Sequence, residues 1–223
     1  EGKDWVLVKG NFRDMGSIAK EHGFGKVSGV LMDLGVSSYQ LDTESKGFSY
    51  RFAGGDLDMR FDHDSGQTAR EYINNAGREE LYEVFTKFGE EERAGPIVDA
   101  IIRARQVKEI ETVGDVVAAV KRAVGDNRET AGVLSRIFQA LRIQTNDELK
   151  ALAEGLAGAH QVLGSGGVLA VISFHSLEDR MVKRFMQGRE WKLITKKPIL
   201  ATREERDENR RSTSAKLRIA EKI

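Results

Sequence analysis

The chain of 223 residues contains no cysteine, which removes disulfide frameworks, Cys-based zinc sites and thiol nucleophiles from consideration. It also lacks net charge: 35 Lys and Arg balance 35 Asp and Glu, so the total gives no argument for a polyanionic partner. The longest apolar runs are five or six residues, far short of the roughly 20 that span a bilayer. No basic stretch followed by an apolar one opens the chain as a signal peptide would. An intracellular, non-membrane protein is therefore expected.

Several catalytic signatures are missing as well. No strand leads into a Gly-Lys-Ser or Gly-Lys-Thr phosphate loop, and no Gly-x-Gly-x-x-Gly dinucleotide fingerprint occurs. A Gly-x-Ser-x-Gly nucleophile elbow is absent, so a Ser-His-Asp hydrolase is disfavoured even though Ser176 adjoins His175. The four histidines, His22, His63, His160 and His175, form no close pair, and no metal site is expected. Asp56-Leu-Asp-Met-Arg60 with Asp62 and Asp64 fails the spacing of a calcium loop. Internal repeats and low-complexity tracts are also lacking.

What the chain does have is a buried-looking ramp, Gly167-Val-Leu-Ala-Val-Ile172, that empties into Ser173, Phe174, His175, Ser176, Leu177, Glu178, Asp179 and Arg180. An apolar strand ending in such a cluster matches the carboxyl edge of an α/β sheet, where open sheets bind their ligands. Val27 to Leu34 reads as a second strand, closed by Asp33-Leu-Gly35 and turning away through Val36-Ser-Ser38. Trp5-Val-Leu-Val8 reads as a third. Trp191 to Thr195 and Lys216 to Ala220 are late strands, the latter alternating as an antiparallel or edge strand does.

Between these strands the period changes. Gln40 to Gly66 is rich in Gly, Asp and aromatics and predicts an ordered loop over a site. From Ala69 to Val124 apolar residues recur at helical spacing, with Gly95-Pro96 as a break. Arg136 to Arg142 is helix-compatible, and a further helix capped at Asn146 runs to Leu163, ending at Gly164-Ser-Gly-Gly167. The predicted division is a sheet core with its loop at 1–66, an inserted helical subdomain at 67–127, and the rest of the core at 128–223.

Individual residues carry open alternatives. Asp33 at a strand end can accept hydrogen bonds from an amine or ribose, or simply cap a turn. Gln40 and Asp42 extend the polar surface. His175, an imidazole that can accept or donate a hydrogen bond, suits a base or a substrate holder. A capping box with first-turn carboxylates accounts for Ser176, Glu178 and Asp179 but leaves Ser173 and His175 unexplained. Arg60 either fixes its loop or meets a phosphate. From Arg180 to Ile223 fourteen Lys or Arg stand against six Asp or Glu, and Arg206, Arg210, Arg211, Lys216 and Arg218 beside Ser212, Thr213 and Ser214 suit phosphate contacts.

Six blocks in order carry a resemblance: Leu31-Met-Asp-Leu-Gly-Val-Ser-Ser-Tyr-Gln-Leu-Asp42, Gly47-Phe-Ser-Tyr-Arg51, Leu57-Asp-Met-Arg60, Phe138-Gln-Ala-Leu-Arg-Ile143 with Asn146-Asp-Glu-Leu149, Ile172-Ser-Phe-His-Ser-Leu-Glu-Asp-Arg180 and Ser214-Ala-Lys-Leu-Arg218. Together they resemble the bacterial and organellar small-subunit ribosomal RNA cytosine-N4 methyltransferases, the MraW-type family. That resemblance implies an α/β fold of the class I, Rossmann-like methyltransferase type with a helical insertion, using S-adenosylmethionine to methylate a cytidine of the small ribosomal subunit. By position it implies cofactor contacts at Phe12, Asp33 and Gln40, and substrate-amine handling at Asp33, Ser173 and His175. RNA contacts are expected at Ser37, Ser38, Arg60, Arg180, Arg210, Arg211 and Lys216, with Phe48, Tyr50 or Phe52 stacking on the base. The partner is small-subunit RNA or the subunit itself, in a bacterial cytoplasm or an organelle.

The chain departs from the family pattern before Trp5, where no strand with a Gly-x-Gly-Gly-His-like turn occurs, and the sheet is expected to be incomplete at its amino terminus. An exposed sheet centre of that kind predicts a homodimer or domain exchange. Leu134-Ser135 also replaces the Thr-Arg pair of relatives. The alternative is a catalytically impaired relative that binds RNA during ribosome assembly and has no affinity for the methyl donor.

Overall fold

The computed structural model describes residues 5–64 and 66–223. In chain order the helices are α1 Met15–Glu21, α2 Ser38–Asp42, α3 Ala69–Asn75, α4 Arg78–Lys87, α5 Ala94–Val107, α6 Val113–Val124, α7 Thr130–Asn146, α8 Glu148–Val162, α9 Ser176–Met186 and α10 Arg203–Glu208. The strands are β1 Val27–Asp33, β2 Leu163–Ser173, β3 Trp191–Leu193, β4 Ile199–Leu200 and β5 Lys216–Lys222. They belong to two compact units, one formed by the residues up to Gly35 together with Leu149–Ile223, the other by Val36–Glu148.

The first unit is an α/β sheet in the order β1-β2-β5-β3, with β4 also pairing to β5. β1 and β2 run parallel, Val30 opposite Leu169 and Asp33 opposite Ile172, so both chains reach the same edge at their carboxyl ends. β5 is antiparallel to β2, with Lys216 opposite Ser173. Alternate residues Leu169 and Val171 of β2 are fully buried and join Leu152, Leu156 and Ala159 of α8 and Val182 and Met186 of α9 in one core. Each such side chain contributes roughly 1.5–3 kcal/mol on burial. This core holds one face of the ramp at 167–172, Leu169 and Val171, while Val168, Ala170 and Ile172 on the other face are half-buried.

Three expectations change here. β5 is antiparallel as its alternation predicts, but it lies between β2 and β3 and is not an edge. β2 begins at Leu163 because Gly164 to Gly167 are extruded within it, the register stepping from Val27 opposite Leu163 to Gly29 opposite Val168. Trp5 to Val8 forms no strand and its apolar side chains are exposed, Leu7 at 85%. A strand requires a ladder partner for its backbone groups, and among the described residues β1 is hydrogen-bonded only to β2.

The second unit is helical around its own core, which gathers Phe48 and Leu57 from the loop with Ile73, Leu81, Phe85, Ile97, Ile101, Val116, Val120, Ile137, Phe138 and Leu141. It is broader than the 67–127 insertion expected from periodicity, because α7 and the preceding loop both supply buried side chains. Gln40 to Gly66 is ordered, as its aromatics predict, with Phe48 stacked on Phe61 at 5.5 Å and Tyr50 edge-on to Phe138 at 6.0 Å. Those rings are thereby part of the packing, and the expectation that Phe48 or Tyr50 stacks on a base is corrected. Asn146 is the last residue of α7 and caps no following helix. Its amide donates to Met59 O at 2.8 Å and its Oδ1 accepts from Phe61 N at 2.8 Å, fixing the loop to α7. Asp147, at φ +51°, ends that helix. None of the helices is long and apolar enough to cross a membrane among the described residues.

Candidate functional site at the carboxyl edge of the sheet

Two parallel strand ends define the site. Asp33 is exposed at the end of β1 and makes no hydrogen bond or ion pair with any described residue. Immediately beyond it, Leu34 N donates to Ile172 O at 3.0 Å and the Leu34 side chain is buried, which pins the strand end. Gly35 then turns the chain at φ +87°, where a Cβ would stand 3.5 Å from the Phe174 ring. A carboxylate without a partner, held on a rigid strand end, is available to a ligand.

Phe12 stands close by. The Asn11 side chain accepts from Arg13 N at 3.1 Å and so starts the 3-10 turn Phe12–Asp14. The Phe12 ring lies directly over Gly155 of α8 and shares that cradle with the Met32 side chain, one residue before Asp33. The ring remains 39% exposed. Glycine at 155 lets the ring sit in this place, since a Cβ there would lie 2.5 Å from Phe12 Cδ2 and push it away. The part-exposed Phe12 ring and the unpaired Asp33 carboxylate are the groups that this turn and the end of β1 leave open to a ligand.

The polar cluster after β2 behaves differently from expectation. His175, not Ser176, caps α9: its Nδ1 accepts from Glu178 N at 3.4 Å. Its Nε2 is enclosed, 3.2 Å from Glu178 Oε1, and lacks an aligned hydrogen-bond partner. Glu178 in turn accepts from Phe174 N at 2.8 Å and His175 N at 3.2 Å through Oε2. Ser173 is buried, its hydroxyl donating to Lys216 O at 3.4 Å. Ser173 and His175, expected to handle the substrate amine, both have enclosed side chains that shape the loop carrying Phe174.

Asp179 is likewise committed. Arg218 forks onto it, Nε to Oδ1 at 2.6 Å and Nη2 to Oδ2 at 3.1 Å, and Lys216 Nζ lies 3.7 Å away. Burial alone would raise the Asp179 carboxyl, but the Arg218 bonds and the Lys216 charge outweigh it and hold it below the usual carboxylate range. Lys216 therefore presents only part of its charge outward, and Arg218, 8% exposed, presents none. Arg180, Arg210 and Arg211 are exposed.

In the helical unit, Ser37 caps α2, and the Gln40 side-chain oxygen accepts from Ser37 N at 2.9 Å and from its hydroxyl at 3.2 Å. These groups are occupied within their own turn, which leaves Ser38 exposed beside them. Arg60 is bound to Asp58, Nε to Oδ1 at 2.8 Å and Nη2 to Oδ2 at 3.1 Å, and reaches Gly66 O. Of its two readings, loop fixation is the one observed. His63 Nδ1 also lies 3.1 Å from Asp58. Against the raising effect of burial, these partners hold the Asp58 carboxyl low.

Sequence reading missed Gly155 and Glu178. A glycine inside a helical pattern signals close approach, and Gly155 with Gly158, which faces Gly16 of α1, carried that signal. Nothing local distinguished a Glu178 that closes a loop from one on a solvated first turn.

The profile of the MraW methylase family matches residues 1–223. Proteins named ribosomal RNA small subunit methyltransferase H are similar over most of their length. That of Thermomicrobium roseum is 44% identical, covering 96% of this chain and 71% of the relative. The Carboxydothermus hydrogenoformans protein is 42% identical over 100% and 78%, and the Deinococcus deserti protein 46% identical over 98% and 72%.

Proposed function

The chain belongs to the MraW methylase family, and from that premise we propose that it methylates the exocyclic N4 of a cytidine in small-subunit ribosomal RNA, with S-adenosylmethionine as donor. The observation that carries the chemistry is Asp33, unpaired at the carboxyl end of β1 with the Phe12 ring beside the preceding residue.

The exocyclic amine of cytosine delocalises its lone pair into the ring and is a weak nucleophile. A fixed carboxylate that accepts one N–H hydrogen bond raises electron density on nitrogen and aims the lone pair. Such orientation is a large catalytic contribution. As the new N–C bond forms, nitrogen loses a proton, and Asp33 Oδ is placed to take it; positioned bases contribute about 10²–10⁴ in rate. S-Adenosylmethionine supplies, when bound, a methyl on a positively charged sulfur. The part-exposed Phe12 ring would hold its adenine, and transfer would break the sulfur–methyl bond as the nitrogen–carbon bond forms, the sulfur leaving as a neutral thioether.

Ser173, His175 and Glu178 are positioning residues in this account. Their buried bonds keep Phe174 and the start of α9 at the strand ends, so the base meets a shaped wall and not a mobile loop. An incoming base in a paired region must first leave its stack.

Incubation of the protein with small-subunit RNA and labelled donor, followed by nucleoside digestion and mass spectrometry, tests the proposal. N4-methylcytidine is the expected product. Label on carbon 5 of the ring, or none in RNA at all, overturns it.

A further inference from the structure

We infer that the exposed face shared by α9 and the β3–β4 segment is a docking track for the phosphate backbone of the substrate RNA, leading to the carboxyl edge of the sheet. The nature of the polyanion rests on the methyl-transfer reading above; the track itself rests on charge and geometry.

Between residues 180 and 197 seven Lys or Arg stand against one acidic residue, Glu190. Lys183 and Arg184 of α9, Arg189 after it, and Lys196 and Lys197 after β3 are exposed, and their side chains make no ion pair or hydrogen bond with any described residue. Some exposed cations elsewhere are paired, Arg70 with Glu109, Arg78 with Asp99 and Lys87 with Glu83, while Arg103, Arg122 and Arg128 of the helical unit are exposed without such partners among the described residues and are scattered along two helices and a turn. Lys183 and Lys196 line the same dimple, so uncompensated positive charge gathers there in the free protein, and a polyanion relieves its repulsion. Within the 206–218 group Arg218 is neutralised by Asp179, so the 180–197 cations add charge that this arginine does not offer.

Lys183 and Lys196 line one shallow dimple between α9 and the end of β3, together with Leu193 and Thr195. Both lysines lie a short walk from the reacting edge. Lys183 is seven residues beyond Ser176, about 10 Å along the helix axis. On the strand side, Lys216 pairs with Ser173 at the edge and Ala220 pairs with Leu193, a separation of about 14 Å along β5. That span suits nucleotides adjoining a target base held at Asp33. Exposed Ile194, Ile199 and Leu200 lie along the same strip and offer apolar contact to sugars and base faces.

The test compares the wild type with K183Q/K196Q/K197Q for binding to a fluorescein-labelled single-stranded ribo-oligonucleotide over a range of KCl, without donor. Each phosphate contact contributes about 0.7 to the slope of log K against log salt for a single strand. Loss of three contacts should flatten that slope by about 2. A control with the same charge change, R103Q/R122Q/R128Q in the helical unit, should leave it unchanged. An unaltered slope in the first variant, or an equal loss in the control, overturns the track. So does a phosphatidylserine vesicle arm in which the first variant loses vesicle binding while RNA binding is kept. Methylation of small-subunit RNA is followed in parallel. A wild type that methylates while the slopes coincide rejects the track alone, whereas a falling slope without any methylation rejects the methyl-transfer reading and retains the track.

Discussion

Replacing Gly155 with alanine tests the cofactor wall at one atom. The added methyl would stand 2.5 Å from Phe12 Cδ2, 2.9 Å from Cε2 and 3.2 Å from Met32 Cε. Carbon atoms settle at about 3.5–4.0 Å, so the ring must retreat by roughly 1 Å. Because Phe12 is carried on a three-residue turn and its ring is part-exposed, the ring moves and α8 stays. Overpacking then sits at the low end of its usual range, about 1 kcal/mol, and the gain of about 1 kcal/mol from alanine in a helix offsets it. The melting temperature should barely change. What is lost is the placement of an aromatic face, worth about 0.5–1.5 kcal/mol, or an affinity for S-adenosylmethionine roughly two- to twelve-fold weaker. Calorimetry on Gly155→Ala, Phe12→Ala and the double variant reads this directly, and the double variant should bind no worse than Phe12→Ala alone. Wild-type affinity in Gly155→Ala, or additive losses in the double variant, refutes the cradle.

Two further outcomes follow from the packed charges. Arg218→Ala leaves the Asp179 carboxylate buried without its fork, and breaking a pair of this kind costs about 3–5 kcal/mol; urea denaturation should show that loss, and Arg218→Ala with Asp179→Asn should recover much of it. The folded-state pKa values of Asp179 and Asp58 lie below their ordinary value of 3.8, so their contribution to stability is complete above about pH 4 and disappears as pH falls through the lowered values. Urea midpoints measured from neutral pH into acid should decline there, and Asp179→Asn should decline less steeply; parallel curves for the variant and the wild type would contradict the assignment.

Sequence pattern revealed the elements whose environment is local or uniform. The ramp into Ser173 is a strand with one face buried and the other half-buried, and the alternation at 216–220 correctly marks an antiparallel strand, though not its place inside the sheet. Helical spacing from Ala69 to Val124 is seen as four helices, α3 to α6. The site was legible as a place: Asp33 and Ile172 do stand side by side on parallel strands. Side-chain direction was not legible. Whether His175 faces a cleft or caps a helix depends on Glu178 reaching back to Phe174 N and His175 N, a choice made by three-dimensional closure. Arg60 is similar, its fork fixed by an aspartate two residues away across the left-handed Met59. Trp5 to Val8 has the composition of a strand, but composition supplies no ladder partner.

The most direct test of the central claim is the turnover of Asp33→Asn on small-subunit RNA at saturating donor and saturating RNA. Asparagine keeps the shape and one acceptor oxygen while removing the charge and the proton acceptor, so at saturation with both substrates kcat should fall by about 10² or more with the melting temperature little changed. Turnover equal to that of the wild type would contradict the account.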